Sequence, residues 1–322
     1  MSALKKIELH LHIEGAAPPG FIRGIAAEKK QDLSGIFDAN GAYSYTNFHD
    51  FLRVYEAATS VLTTPRDYAR LLTEVLAECA GHGAIYAELF VSPEFCGGGD
   101  LAAWRDYLAA MEEAAQAAER DGITSRAILT AIRHFGPERA RKTAICAAET
   151  AGGWVTGLGI GGAEDFGHLS DFAWSFDCAR EAGLGLTAHA GEWGGPESVR
   201  DALSQGVTRI GHGIRAAEDP DLLRELAERG VTLEVCPGSN VALRAVPGWQ
   251  AHPIARIADA GVRVTVSTDD PPFFHTTLSH EYQMLADHFG WSGDDFRQMN
   301  LWAVDAAFCD EDTKTRLRKD LT

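Results

Sequence analysis

Hydrophobic and polar positions change period repeatedly along this chain. Short apolar or alternating runs recur as IELHLHI (7–13), AIYAELFVS (84–92), SRAILTAIR (125–133) and VTGLGIGGA (155–163). Four more follow as GLTAHAGE (185–192), RIGHG (209–213), VTLEVCP (231–237) and VRVTVSTDD (262–270). Each has strand length and is too short for a typical helix. The stretches between them carry apolar residues three to four apart, the helical period. PRDYARLLTEVLAECAGHG (65–83), DPDLLRELAERG (219–230) and HPIARIADAG (252–261) start with Pro near the first helical position and end at Gly. That is helix punctuation. Eight strands, most followed by a helix, predict an α/β fold, a (β/α)8 TIM barrel, as a single domain over 1–322. An open doubly wound sheet is the competing arrangement. No glycine-rich dinucleotide turn follows the first strand, which counts against it.

Two segments exceed the repeating unit. Residues 30–65 form an insertion after the first strand and contain YSYTNFHDFLRVYEAATSVL (43–62). Within it Phe48, Phe51, Leu52 and Tyr55 form a helical stripe, which reads either as core packing or as an apolar lid. Residues 278–322 read as extra helices that close the domain.

Charge and cysteine usage narrow the function. With 29 Lys and Arg against 46 Asp and Glu, the net charge is −17. Nucleic acid and anionic membrane are therefore excluded as expected partners, because phosphates need cationic neutralisation. Six cysteines are scattered without a CxxC pair, as expected of reduced thiols in a cytoplasmic protein. No apolar segment resembling a signal peptide or a membrane span is visible.

Barrel active sites gather at the C-terminal ends of the strands. The polar residues there are His10, His12 and Glu14 on the first strand, and His189 and Glu192 on the fifth. His212 follows on the sixth, and Asp269 and Asp270 on the eighth. Strand side chains alternate, so His10 and His12 share one face. Buried imidazole and carboxylate groups need a partner, and a metal ion is one. His189 and Asp269 would complete a four-ligand set suited to zinc with an open position for water. Taken singly, HxH, GHG or DD before Pro is weak, since each also occurs in turns and satisfied cores. Four such clusters at four strand ends point to one site.

These residues sit in ELHLHIEGA (8–16), GIGGAE (159–164), HAGEWGGPESV (189–199), RIGHGIRAAEDP (209–220), LEVCPGSNVAL (233–243) and VSTDDPPFF (266–274). The set resembles the adenosine deaminase family of the amidohydrolase superfamily. The resemblance implies one Zn2+ per chain, held by His10, His12, His189 and Asp269. It implies that Glu192 protonates purine N1 and that His212 is a base or an electrostatic partner of the attacking water. It assigns Asp270 to orienting that water and meeting N7. The substrate contacts implied are His12, Glu14, Gly162, Asp270, Phe48 and Phe51, with Gly162 N–H at N3, Glu14 on the ribose side and the aromatic stripe as a lid.

The expected reaction is hydrolytic deamination of adenosine or 2′-deoxyadenosine to the inosine product and ammonia. Adenine or a modified adenosine is the alternative within the same family. RIGHG lacks the acidic residue that adenine-specific relatives carry before the histidine, and HAGEWGGPESV resembles the nucleoside branch. The absence of a Lys/Arg cluster argues against a nucleotide phosphate. A metal hydrolase with another leaving group and an inactive purine-binding relative are the competing classes.

Overall fold

The computed structural model describes residues 4–322. Eight strands run in chain order as one parallel sheet: β1 Lys6–His12, β2 Ala84–Val91, β3 Thr124–Ile132, β4 Val155–Gly161, β5 Gly185–Ala190, β6 Arg209–His212, β7 Thr232–Val235 and β8 Arg263–Val266. Their residues are almost all buried because helices cover the outside and side chains fill the inside. The sheet closes beyond the end of β8. Asp269 N–H donates to His10 O at 3.1 Å, and Asp269 O accepts from His12 N–H at 3.0 Å. Ser267 Oγ accepts from the N–H groups of Leu9 and His10, both at 3.2 Å. Barrel closure therefore places Asp269 opposite Leu11, between His10 and His12. The predicted (β/α)8 TIM barrel is the observed fold.

The later strands stop sooner than their apolar runs. Glu192, Asp269 and Asp270 lie past the last strand residue, where the backbone turns left-handed at Gly191 (φ 71°) and at Asp269 (φ 65°). His212, the last residue of β6, also has positive φ, at 60°. Positive φ is uncommon for side-chain-bearing residues and concentrates at functional sites.

The β1–β2 connection holds helices Pro19–Lys29, Phe48–Thr59 and Pro65–Gly81. Asn47 caps the second by accepting from Asp50 N–H, and Thr64 with Asp67 forms a capping box on the third. After β8, helices Leu278–Phe289, Gly293–Ala306 and Glu311–Leu321 finish the chain. Asn300 ties the middle one to the sheet by accepting from Ile7 N–H at 2.7 Å. Among the described residues, no helix is long and apolar enough to cross a membrane.

Candidate active site

One donor atom from each of His10, His12, His189 and Asp269 lies within 4.8 Å of all the others. The fold orients these rings from behind. His10 Nδ1–H donates to Glu234 Oε2 at 2.7 Å, and His189 Nδ1–H donates to the Ile160 carbonyl at 3.1 Å. Each Nε2 is then a lone pair facing the cluster. His12 Nε2 lies 3.2 Å from His189 Nε2 and 3.3 Å from Asp269 Oδ1. His10 Nε2 is buried with no hydrogen-bond partner. Converging lone pairs and a carboxylate in a buried site are the donor set of a divalent metal, and the residues fit one. Ser239 donates to Asp269 Oδ2 at 2.7 Å and holds that carboxylate in place.

Behind His10 lies a buried ion network. Arg209 bonds both Glu88 and Glu234. Burial opposes ionisation of Glu234, but the Arg209 charge and the His10 bond bring its pKa down to about 2. Glu234 was invisible to strand-end reasoning because it sits mid-strand. Its sequence signal was a lone carboxylate inside the apolar run of β7.

A cavity opens above the cluster. His12, His189, His212, Glu192, Asp269 and Asp270 line its polar part. Phe48, Phe51, Leu52 and Tyr55 cover it from helix Phe48–Thr59. Phe51 also packs on Phe273 and Phe274, and Phe48 on Trp193, so this helix is both lining and core. Gly162 lines the wall with φ 94°, and a Cβ there would approach His134 Nδ1 to 2.9 Å. Only glycine suits that position.

Glu192 and Asp270 each keep one buried carboxyl oxygen without a hydrogen-bond partner, Oε1 and Oδ1 respectively. Burial, then the Asp269 charge, pushes both pKa values well above the usual carboxylate range. Asp270 also packs so tightly on Gly15 that a Cβ there would overlap its carboxyl oxygen. The glycine of HIEG is thus a packing requirement.

The tautomer of His212 is set from a distance. Ile254 N–H donates to His252 Nδ1 at 3.2 Å, so His252 carries its proton on Nε2. That proton meets Asn240 Oδ1 at 3.2 Å, which turns the Asn240 amide toward His212 Nδ1, also at 3.2 Å. His212 then holds its proton on Nε2, 3.8 Å from Glu192 and 4.0 Å from Asp269. Burial lowers its pKa to about 4, so the ring is neutral near pH 7. Neither His252 nor Asn240 sits at a strand end, so strand-end reasoning misses both. Nothing local in HPIARI or PGSN marks them as neighbours.

Glu14 stands behind the cavity wall. Both its oxygens accept from tyrosine hydroxyls, Tyr55 at 3.2 Å and Tyr68 at 3.0 Å. Glu14 is buried and is not among the residues lining the cavity, which Tyr55 lines in front of it. Burial lifts its pKa to about 7.

A parallel barrel carrying a His3Asp cluster at its C-terminal mouth defines a metal-dependent hydrolase of the amidohydrolase type. The model of the adenosine deaminase family matches residues 5–322, and the chain belongs to that family as an aminohydrolase. A protein of Rhizobium rhizogenes named adenine deaminase is 46% identical over 319 residues, covering 98% of both chains. One of Chelativorans sp. with the same name is 47% identical over 317 residues, covering 98% of this chain and 97% of its own. Among solved structures, an adenine deaminase from Arthrobacter aurescens superposes with a TM-score of 0.90 at 29% identity, covering 99% of this chain and 98% of that one. An amidohydrolase from Burkholderia ambifaria with bound Zn gives 0.89 at 28% identity, covering 99% and 90%.

These relatives overturn adenosine as the expected substrate. One of the two cues that favoured it, the RIGHG run, has another cause here. Gly211 precedes His212 because a Cβ at that position would lie 2.8 Å from His10 Cε1. Its identity reports packing on the metal cluster and leaves no room for an acidic side chain.

Proposed function

We propose that this chain hydrolyses adenine to hypoxanthine and ammonia, using one zinc ion held by His10, His12, His189 and Asp269. The observation that carries the substrate is near-full-length similarity at 46–47% identity to proteins named adenine deaminase. The engagement of Glu14 by Tyr55 and Tyr68 supports a free base over a nucleoside. A zinc-containing neighbour and the donor set support the metal. Six free cysteines fit a reducing, cytoplasmic setting.

When bound, zinc supplies Lewis acidity that makes water a nucleophile near neutral pH. The protein's own task is to make C6 of an aromatic ring accept it. Glu192, kept neutral by burial, gives its proton to N1 and draws electron density from C6. Oxygen of water replaces nitrogen at C6. One water proton restores Glu192, and the other leaves with the amine as ammonia. His212 presents Nε2–H to the attacking oxygen; the Ile254–His252–Asn240 relay supports a donor role over a base role. Asp270 holds the attacking water and the N7 edge, and Gly162 N–H meets N3. The aromatic helix Phe48–Thr59 keeps bulk water out and strengthens each of these interactions.

Ammonia release by zinc-loaded protein, with adenine and adenosine in parallel, tests the reading. Adenine turnover far above adenosine turnover is expected, and the reverse ranking overturns the substrate. Glu192→Gln should lower kcat by roughly 10²–10⁴-fold with metal content unchanged. Near-normal turnover by that variant would remove Glu192 from the mechanism.

A further inference from the structure

Glu164 lies outside the metal cluster and outside the cavity lining, yet its buried carboxylate collects an unusual set of donors. Oε1 accepts from Gly191 N–H at 2.6 Å and from the Ser198 hydroxyl. Oε2 accepts from the N–H groups of Glu192 at 3.1 Å, Trp193 at 2.7 Å and Gly194 at 3.0 Å. Four consecutive backbone amides thus point at one side chain, as they would at a bound anion. Two glycines make the cradle possible. Gly191 has φ 71°, and a Cβ there would lie 2.5 Å from Val199 Cγ2; a Cβ on Gly194 would lie 2.7 Å from Glu164 Oε1. Burial opposes the charge on Glu164, but Ser198 and the amides outweigh it and keep the pKa below the ordinary value. The carboxylate therefore stays ionised and the cradle stays filled.

The segment it grips is the one that carries Glu192. β5 ends at Ala190, and helix Pro196–Ser204 starts beyond the cradle. Glu164 is an internal anion that replaces solvent for this turn and leaves Glu192 Oε1 free toward the cavity. Hydrogen bonds to an ionised acceptor are about twice as strong as neutral ones, so the turn is held more rigidly than loop contacts alone would manage.

We propose that Glu164 is a positioning residue for deamination, acting through the backbone of residues 191–194 to aim the Glu192 carboxyl at the substrate ring. This rests on the reading of Glu192 as the proton donor. The run GIGGA, which leaves the end of β4, carries Gly162, the glycine that faces the ring, and Glu164 two positions later fixes the acid opposite it. One short segment thus sets both edges of the substrate site.

A double-mutant cycle between Glu164→Gln and Glu192→Gln tests this, with adenine turnover, KM, metal content and Tm measured on all four proteins. Gln can accept through one oxygen only, so the cradle loses several bonds. Glu164→Gln alone should lower kcat roughly 10²-fold, the cost of misplacing a catalytic group by about 1 Å. Metal content should be unchanged and KM should move less than kcat. In the Glu192→Gln background the same change should have almost no further effect, because its target is gone. Additive losses would overturn the proposal and make Glu164 a structural residue. Full activity in Glu192→Gln would instead sink the proton-donor reading. Gly194→Ala, which presses on the carboxylate without removing its charge, should show a smaller kcat loss with the same dependence on Glu192. It stands in if Glu164→Gln does not fold; an effect independent of Glu192 would again overturn the proposal.

Discussion

Which nitrogen of each histidine holds a proton determines what this site can do, and none of those protons is chosen locally. A carbonyl on β4 fixes His189, a carboxylate on β7 fixes His10, and a backbone amide at Ile254 fixes His212 through two side chains. The last of these can be tested directly. An ionised Asp at 240 accepts but cannot donate, so Asn240→Asp should move the His212 proton to Nδ1. The expected result is a ~10–100-fold lower kcat with metal content unchanged, and a changed tautomer pattern in nitrogen NMR. Wild-type turnover with an altered tautomer would show that the proton position does not matter. Two glycines of the motifs have packing causes at this scale. Gly211 and Gly15 look like sequence preferences but are spaces kept for His10 and Asp270.

Single elements carry the site residues into place, and each is anchored by a buried polar group. Helix Pro237–Ala242 brings Ser239 and Asn240 to the cluster. Its first turn is held by Glu281 of helix Leu278–Phe289, which accepts from Gly238 N–H at 2.9 Å and from the Thr276 hydroxyl. Burial raises the pKa of Glu281 from 4.5 to about 8, so the fold favours the protonated carboxyl. The folded state then binds more protons than the unfolded chain between these values. The resulting stability is complete below about pH 4.5, declines as pH rises toward 8 and is lost above it. Glu281→Gln should remove that decline, on the order of a few kcal/mol, giving a flatter profile of denaturation midpoint between pH 5 and 9 than the wild type. Parallel profiles would show that Glu281 does not titrate in this range. The aromatic helix Phe48–Thr59 shows a different limit. Its stripe was legible as helical spacing, but core and lid proved to be the same face, packed on Phe273 and open to the cavity.

Across the whole molecule, the metal cluster coincides with the closure of the barrel. The residues that would hold the ion come from β1, from β5 and from the segment that pairs β8 back onto β1. An ion bound there would cross-link the two ends of the sheet, and stability should follow its occupancy. Stripping the metal with a chelator should lower Tm by on the order of 5 °C, since saturation at 100 times Kd contributes about 2.7 kcal/mol. Adding zinc back should restore it, and an unchanged Tm would show that the cluster is not loaded in the folded protein. The eight strands, their order and the chemistry at their ends were legible in the amino-acid pattern alone. Period, punctuation and the cost of burying imidazole are local facts about a chain. The same pattern also placed His10, His12, His189, Asp269, Glu192, His212 and Asp270 in one neighbourhood, because parallel strands share a mouth. That Glu234, Asn240, His252 and Glu164 stand behind them, and that Glu14 turns to the tyrosines, emerges only from the folded arrangement. Those contacts join residues far apart in the chain, and hydrogen bonding between distant groups leaves no period to read.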